Sequence, residues 1–254
     1  MKDRDILCGH LSKMDGIAVS FSGGVDSTVV LAAAMRALPD DHVAVFADVP
    51  MLSERQRRIT MNVANELGAN AVSVKLEWDD LPGIRDNTEE RCYICKRGIY
   101  SAVRRIADDN GYVCVDGENS SDRSEDRPGR RAAGEFGIIS PLKELGFSRD
   151  AVRRMFSELR LTTDVQKETC MATRIPFGVP FGDADIRFIG ECEELIREIA
   201  GVRQIRMRLR DGRAHLLTSP DSVRSLMEKE EELSSMLLKR GITAVVIDAD
   251  GYKE

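Results

Sequence analysis

The sequence predicts an α/β fold: a parallel, Rossmann-like sheet followed by a small C-terminal α+β domain. Short apolar runs typical of buried strands alternate with segments whose apolar residues recur every three to four positions, as they do in helices. This alternation favours parallel strands joined by right-handed crossovers. Nearer the C-terminus, two strand-like runs flank Asp211-Gly212, which is typical of a tight hairpin. We therefore expect a main domain over residues 1–182 and a smaller domain over residues 183–254.

The individual elements follow from apolar patterns and from capping residues. In the main domain, strands are predicted at 16–21, 43–48, 71–76, 113–115 and 137–139, with helices at 1–14, after the turn at 22–27, and at 53–68, 95–110 and 149–158. A long polar loop is predicted at 117–136. In the smaller domain, strands are predicted at 204–210, 214–218 and 244–247, and helices at 183–200 and 221–240. Ligands of a parallel sheet bind beyond the carboxyl ends of its strands, so residues that follow the strands are the first candidates for a site.

The composition is that of a soluble globular protein. The chain has 254 residues, of which 42% are hydrophobic and 31% are charged, and its formal net charge is −6. No apolar run approaches the roughly 20 residues that span a bilayer, and the N-terminal residues have no apolar core of the signal-peptide kind. We therefore expect a cytoplasmic protein without a membrane association. The negative charge also argues against bulk nucleic-acid binding.

A glycine pair flanked by hydroxyl groups lies between the first strand and the following helix, in Ser22-Gly23-Gly24-Val25-Asp26-Ser27. Glycines allow positive φ and close approach of a ligand, and helix N-terminal amide groups attract an anion. Asp26 would repel a bare phosphate, but it fits a site in which Mg²⁺ lies between carboxylate and phosphates. The turn has neither the lysine of a Walker A loop nor a G-x-G-x-x-G pattern. The alternative is an ordinary helix start capped by Ser22 or Asp26.

Two further residues are predicted at the same edge of the sheet. Asp48 ends the second strand, where it would face adenosine or the metal ion; a strand-ending aspartate without a ligand is the alternative. Gly117 follows the fourth strand and is therefore predicted at the same phosphate-binding edge.

Three of the six cysteines have spacings that suggest chemistry: Cys92 and Cys95 form a C-x-x-C pair, and Cys170 precedes a proline- and glycine-rich segment. The pair suits a redox dithiol, or half of a zinc site whose other half has no counterpart in the sequence. Together, three thiolates would bind three irons of a [4Fe–4S] cluster and leave the fourth iron open. The remaining three are interpreted as small buried hydrophobes: Cys8, Cys114 and Cys192.

In this order along the chain, a set of segments resembles the LarE-type ATP-dependent sulfur transferases, a branch of the PP-loop ATP pyrophosphatases with an adenine nucleotide alpha hydrolase-type sheet. The segments are SFSGGVDSTVVL, RCYICKRGIY, VDGENSSDRSEDRPGRRAAGEFGIISPL, CMATRIPFG and IRMRLRDGRAHL. The resemblance implies a PP-loop domain over 1–182 and a substrate or oligomerisation domain over 183–254. It also implies an enzyme that adenylylates a carboxylate of pyridinium-3,5-dicarboxylate mononucleotide and replaces AMP with sulfur, a step of nickel-pincer nucleotide biosynthesis.

The resemblance also implies roles for individual residues and the ligands they would hold. One form of the family sacrifices the sulfur of a single cysteine; the other uses a [4Fe–4S] cluster, and the three thiols indicate the cluster form here. The implied cofactors are ATP, Mg²⁺ and the cluster; the implied partners are a small nucleotide substrate, a sulfur donor that the sequence does not identify, and further copies of the chain in a homo-oligomer. The assigned residues are Cys170, Asp26, Arg174 and Glu193 for catalysis; Ser22, Gly23, Gly24, Asp26, Ser27, Asp48 and Gly117 for ATP; Cys92, Cys95 and Cys170 for the cluster; and Arg206 and Arg208 for the substrate phosphate.

One residue departs from the pattern of this family, and two other functions compete with the proposed one. Glu118 stands where a small hydroxyl or apolar residue is expected, which bears on the identity of the acceptor. The first competing function is a cluster-dependent tRNA thiolase, which would need a basic surface for RNA. The second is a non-catalytic module that binds ATP and an iron–sulfur cluster without turnover.

Overall fold

The computed structural model describes residues 2–121, 128–166 and 168–252. The chain divides into two compact units, one formed by Met1–Ile84 with Glu89–Glu168 and the other by Arg85–Thr88 with Thr169–Glu254. The boundary predicted between residues 182 and 183 therefore falls inside the second unit.

The first unit contains a four-stranded parallel sheet in the order β3-β2-β1-β4. The predicted α/β fold with a parallel sheet is confirmed. The expected fifth strand is reduced to a single parallel bridge between Val115 and Ile139. The strands are β1 (Ile17–Ser20), β2 (His42–Asp48), β3 (Ala71–Lys75) and β4 (Val113–Val115).

Helices connect these strands and cover the sheet. The described helices of this unit are α1 (Asp3–Leu11), α2 (Val25–Ala37), α3 (Glu54–Leu67), α4 (Arg91–Asn110), α5 (Pro128–Glu135), α6 (Pro141–Glu144) and α7 (Arg149–Ser157). The chain moves outward from β1 through β2 to β3 and then returns through α4 to β4 on the other side of β1. The strand order therefore reverses between β1 and β4, and the carboxyl ends of these two strands form the switch point at which such sheets bind ligands.

The core of the first unit forms around β1 and α2. All apolar residues of β1 are buried, and the Val-Val-Leu run of α2, Val29 to Leu31, is buried against the sheet. From α1, Leu7 and Leu11 are also fully buried; they are four residues apart and thus on one helix face. This packing fixes the start of α2, and with it the glycine turn, to the end of β1.

Local capping signals placed α3 correctly. The Ser53 side chain accepts a hydrogen bond from the Gln56 amide at 3.1 Å, and Gly68 ends the helix with a φ of 68°. Two other predictions were wrong at their boundaries. The predicted helix at 95 begins at Arg91, so Cys92 is already helical. The expected loop at 117–136 contains α5, and its residues 122–127 lie outside the described part of the chain.

The second unit contains a three-stranded sheet in the order β5-β6-β7, with β5 antiparallel to β6 and β7 parallel to it. The predicted hairpin is confirmed: Asp211 and Gly212 have φ of 49° and 73°, as a type I′ turn requires. The helix predicted at 221–240 is divided at Lys229 into two helices. The elements of this unit are β5 (Arg206–Arg210), β6 (Arg213–Leu217), β7 (Ala244–Ile247), α8 (Asp183–Ala200), α9 (Val223–Glu228) and α10 (Glu230–Leu238).

A short segment from the middle of the chain, Arg85–Thr88, belongs to this second unit. Asn87 is fully buried, and its side-chain amide donates to the carbonyl oxygens of Pro176 at 2.7 Å and Val179 at 2.9 Å. The Gly178 amide in turn donates to the Asn87 carbonyl at 2.9 Å. Asn87 therefore holds the proline- and glycine-rich turn that follows Cys170. No helix within the described residues is long and apolar enough to cross a membrane.

Candidate functional site

The turn between β1 and α2 has the backbone shape of an anion site. Gly23 has a φ of 70°, and a Cβ atom there would lie 2.6 Å from the Cα of Thr60. Gly24 has an ordinary extended φ of −78° and is the N-cap of α2, so neither Ser22 nor Asp26 occupies the capping position. The N-cap of α2 is therefore a glycine, which has no side chain to accept hydrogen bonds from the first-turn amides.

The two serines of the turn bond to each other. The hydroxyl oxygens of Ser22 and Ser27 are 3.1 Å apart, and the Ser27 hydroxyl donates to the Gly24 carbonyl at 3.2 Å. Ser27 is only 5% exposed, whereas Ser22 is exposed. The buried Ser27 hydroxyl therefore stabilises the turn through hydrogen bonds, and Ser22 is the serine exposed to solvent.

Two residues that support this turn were missed by the sequence analysis. From α3, the side chains of Gln56 and Thr60 both donate to the Ser22 carbonyl at 2.8 Å. Their spacing of four residues puts them on one helix face, which the sequence does show. Nothing in the sequence indicates that this face meets the glycine turn.

Asp48 lies at the carboxyl end of β2, as predicted, and its carboxylate is part of an ion pair. Oδ1 accepts a hydrogen bond from Arg57 Nε at 2.6 Å, and the same guanidinium donates to the Val49 carbonyl at 3.2 Å. A contact of Asp48 with adenosine or a metal ion stays a prediction.

Gly117 lies directly against the first turn of α2. A Cβ atom at Gly117 would be 2.7 Å from the backbone nitrogen of Ser27 and 2.9 Å from the carbonyl carbon of Asp26. Only glycine allows this approach, so the segment after β4 reaches the glycine turn through its backbone. This contact places Gly117 beside the predicted ATP-binding residues.

The residue that departs from the family pattern, Glu118, is the centre of an ion cluster. Its carboxylate pairs with the guanidinium of Arg130 and lies 3.5 Å from Lys143 Nζ. Glu118 and Arg130 are mostly buried, with side chains 16% and 19% exposed. The negative charge next to Gly117 is therefore neutralised by cations of the same unit.

The oxygen donors of the glycine turn suit Mg²⁺. This ion prefers carboxylate oxygen and phosphate ligands and often uses only one or two protein carboxylates. Asp26, in the first turn of α2, is partly exposed and would supply such an oxygen, and the ATP phosphates would supply others. Among the described residues, no group of three or more His, Cys, Asp or Glu side chains is arranged to hold a metal ion without such help.

Two of the predicted cluster ligands lie on the first turn of α4. Cys92 is exposed and Cys95 is half-buried, and their spacing of three residues puts them on one face of the helix. Cys170 is also half-buried and belongs to the second unit. Thiolates are the usual protein ligands of iron–sulfur clusters, and a cluster shared by these three cysteines stays a prediction.

Of the remaining cysteines, Cys114 and Cys192 are buried, as predicted, whereas Cys8 is only half-buried against the core. Burial raises the pKa of the Cys192 thiol to about 11, and burial also raises the thiol pKa of Cys8 and Cys114 above its usual range. A raised pKa keeps these groups protonated, and a protonated thiol is a poor nucleophile and metal ligand.

Within the second unit, a buried guanidinium organises the segment around Cys170. The Arg174 side chain donates to the Thr169 carbonyl at 3.0 Å and to the Cys170 carbonyl at 3.4 Å. Its other nitrogens donate to both carboxylate oxygens of Glu193, at 2.8 and 3.2 Å. Glu193 also accepts a hydrogen bond from the Met207 amide of β5 at 2.8 Å.

This network favours a positioning role for Arg174 and Glu193. Their side chains are 0% and 2% exposed, so a substrate would not reach them without a rearrangement. Through Met207, the pair links the Cys170 segment to the strand that carries Arg206 and Arg208. A direct chemical role stays a prediction.

The predicted phosphate-binding arginines lie two residues apart on β5 and share one face of the strand. The Arg206 guanidinium stacks on the ring of Tyr252, 3.4 Å from the ring centroid, and the residue is 1% exposed. Arg208 is half-buried. Tyr252 was missed by the sequence analysis, since no local pattern links it to β5.

The chain is similar in sequence to several curated proteins, although no protein-family model matches it. It is 30% identical to the pyridinium-3,5-bisthiocarboxylic acid mononucleotide synthase of Lactiplantibacillus plantarum, over 97% of this chain and 90% of that protein. It is 29% identical to an uncharacterized protein of Synechocystis sp., over 95% and 91% of the two chains. It is also 30% identical to the glutamine-hydrolyzing GMP synthase of Campylobacter fetus, over 72% of this chain but only 39% of that enzyme.

The glycine turn at the switch point of a parallel sheet defines the first unit as a PP-loop domain. The sequence similarity over nearly the full chain also identifies the family within this class. The chain belongs to the family of the pyridinium-3,5-bisthiocarboxylic acid mononucleotide synthases, which confirms the resemblance to LarE-type proteins.

The two glycines of the turn should respond differently to substitution. Gly23→Ala puts a Cβ atom at positive φ and against the Thr60 backbone, so we expect a loss of unfolding free energy of about 2 kcal/mol or more. Gly24→Ala meets only the Ser22 hydroxyl at 3.4 Å and should leave stability nearly unchanged. Urea unfolding of both variants measures the difference. Equal stabilities would contradict the close contact at Gly23.

A second prediction concerns the buried ion pair. Arg174→Met leaves the Glu193 carboxylate buried without its partner, which should lower the free energy of unfolding by about 3–5 kcal/mol. The matched control is Arg224→Met, which removes an exposed partner of Glu228 in the same unit and should have little effect. Thermal unfolding compares the two. A Tm loss for Arg174→Met no larger than the control's would show that the pair is dispensable for stability.

Proposed function

We propose that this protein is an ATP-dependent sulfur transferase that acts on the carboxylates of a pyridinium-3,5-dicarboxylate mononucleotide. The observation that carries the proposal is the glycine turn, with Gly117 packed against it, at the switch point of the parallel sheet. It is supported by the near full-length relative whose name specifies the corresponding bisthiocarboxylic acid product.

The first half-reaction is the transfer of AMP to the acceptor. A carboxylate oxygen of the acceptor attacks the α-phosphorus of ATP, the bond between this phosphorus and the bridging oxygen to the β-phosphate breaks, and pyrophosphate leaves. First-turn amides of α2 and the Ser22 hydroxyl would hold phosphate oxygens, and Asp26 would hold Mg²⁺ against them. The protein contributes position and neutralisation of charge, which are the main needs of phosphoryl chemistry.

The second half-reaction replaces AMP with sulfur. A sulfide-level sulfur nucleophile attacks the acyl carbon, the bond between this carbon and the AMP oxygen breaks, and AMP leaves with the electron pair. Arg208, which is half-buried, and Arg206, once Tyr252 moves off its buried guanidinium, would hold the phosphate of the acceptor, because guanidinium groups match phosphate geometry. Arg174 and Glu193 would keep the Cys170 segment in place relative to β5.

The sulfur is assigned to the cluster form of the family, with Cys92, Cys95 and Cys170 as the ligands of a [4Fe–4S] cluster. The presence of three cysteines supports this assignment, since the sacrificial form needs one. When bound by three thiolates, such a cluster offers one iron on which an exogenous sulfur can be carried. The exposure of Cys92 and the half-burial of Cys95 and Cys170 leave these thiols accessible to metal.

The proposal predicts acceptor-dependent turnover of ATP. With ATP, Mg²⁺, sulfide and pyridinium-3,5-dicarboxylate mononucleotide, we expect equal release of AMP and pyrophosphate, and a thiocarboxylate product in the mass spectrum. Asp26→Asn should lower the rate by about a hundredfold, because it removes the carboxylate proposed to hold the metal. Asp40→Asn, at an exposed loop position, is the matched control and should keep full activity.

Three outcomes of this assay would contradict the proposal. ATP binding without pyrophosphate release would indicate a non-catalytic module. Pyrophosphate release that depends on tRNA instead of the small acceptor would indicate a tRNA thiolase. Full activity of Asp26→Asn would remove Asp26 from the metal site.

Substitutions of the cysteines distinguish the cluster form of the family from the form that sacrifices a cysteine sulfur. After anaerobic reconstitution, each of Cys92→Ala, Cys95→Ala and Cys170→Ala should lose the iron–sulfur absorbance and sulfur transfer, since a three-thiolate site needs all its ligands. Cys8→Ala removes a half-buried thiol elsewhere in the first unit and should retain both. A wild-type mass that falls by about 34 Da on turnover, the mass of hydrogen sulfide, would mark a sacrificial Cys170 and overturn the cluster assignment.

A further inference from the structure

The segment that follows β4 carries a buried polar residue that the proposed function does not use. Asn119 is 2% exposed and lies in the first unit, two residues after Gly117. A buried amide has to find hydrogen-bond partners, and the partners of Asn119 are specific.

This segment is anchored by a buried carboxylate. Asp116 accepts hydrogen bonds from the Tyr100 hydroxyl of α4 and from the Ser140 hydroxyl, both at 2.7 Å. The Glu118 amide donates to the same carboxylate at 3.1 Å. Burial, followed by the charge of Asp116, raises the pKa of Tyr100 well above its usual range, so the phenol keeps the proton that it donates.

The anchored segment presses against the start of α2. The contact of Gly117 with the backbone of Asp26 and Ser27 leaves no room for a side chain. Two constraints therefore set the position of Asn119 relative to Asp26. Before Asn119, the backbone of Gly117 packs against α2. After it, the Ser120 hydroxyl donates to the Gly146 carbonyl at 3.1 Å.

Both ends of the Asn119 amide are engaged. Its Oδ1 accepts a hydrogen bond from the Ser121 amide at 2.9 Å, so this atom is the oxygen and Nδ2 is the group that faces Asp26. Nδ2 donates to Asp26 Oδ1 at 3.2 Å. A 180° rotation of the side-chain amide would break both hydrogen bonds.

We infer that Asn119 is a positioning residue that sets the Asp26 carboxylate for the divalent cation of Mg·ATP. A hydrogen bond to one oxygen fixes the plane of the carboxylate and hence the direction of both oxygens. Mg²⁺ accepts only near-ideal octahedral geometry, and residues behind a ligand commonly tune affinity by orienting it. The inference rests on the proposed function, since it assigns Asp26 to the cation.

The test measures nucleotide binding without an acceptor, by calorimetric titration of ATP into the full-length protein. Asn119→Ala should lower the affinity for ATP in saturating Mg²⁺ by about tenfold, the scale set by one charge-assisted hydrogen bond. In EDTA, the affinity for metal-free ATP should change less than about twofold, because no cation needs the oriented carboxylate. The matched control is Asn110→Ala, which removes an exposed side-chain amide at the end of α4 that donates to the Ile106 carbonyl, and it should change neither affinity.

A double-mutant cycle with Asp26→Asn completes the test. If Asn119 acts through Asp26, the effect of Asn119→Ala on Mg·ATP binding disappears in the Asp26→Asn background. Additive effects, or an equal loss in EDTA, would show a structural role and overturn the inference. Wild-type protein that binds no ATP would overturn the proposed function as well, whereas normal Mg·ATP binding by Asn119→Ala would overturn this inference alone.

Discussion

The glycine turn of the first unit depends on backbone-to-backbone packing around the first turn of α2. Gly23 meets α3 at Thr60, and Gly117 meets Ser27, each at a distance that excludes a Cβ atom. Three segments that are distant in sequence can therefore converge on one helix start. The N-cap of α2 is Gly24, so no side chain at the capping position competes with an anion for the first-turn amide groups. The proposed phosphate site is thus formed mainly by backbone groups, to which side chains add.

Signals that are local in sequence predicted most of the first unit. The alternation of strands and helices predicted the parallel sheet, and Ser53 and Gly68 predicted the ends of α3. The glycine pair predicted the sharp turn at the end of β1. Contacts across long sequence separations carry no such signal. The bond of Asn119 to Asp26 joins residues 93 positions apart, and that of Gln56 to Ser22 joins residues 34 apart.

Several errors have the same physical origin. The polar composition of 117–136 is typical of a loop, but the segment packs its alanines: Ala132 is fully buried beside Tyr100 in a small cluster, and this tertiary contact stabilises α5. Likewise, the strand pattern placed Asp48 at the edge of the sheet but could not show that Arg57, one helix later, would pair with it. Burial of Arg174 and Glu193 was also invisible, because charged residues are normally exposed.

The buried ion pair of the second unit illustrates what such residues contribute. Desolvation makes a buried pair a poor source of stability, yet it specifies one arrangement because both charges must stay together. Here the arrangement joins the backbone around Cys170 to β5 through a single carboxylate. Electrostatics thereby orders a segment that, with its prolines and glycines, has little regular secondary structure of its own.

Asn87 gives the chain an evolutionary constraint. The second unit resembles an appended module in sequence order, but its turn at 175–179 takes hydrogen bonds from a residue more than eighty positions earlier in the chain. A gene fragment that encoded only the C-terminal part would lack this amide, and the turn would lose the hydrogen bonds that hold it. Recombination could therefore exchange this unit between proteins only together with the segment inserted in the PP-loop domain, so the two units are expected to be inherited as one piece.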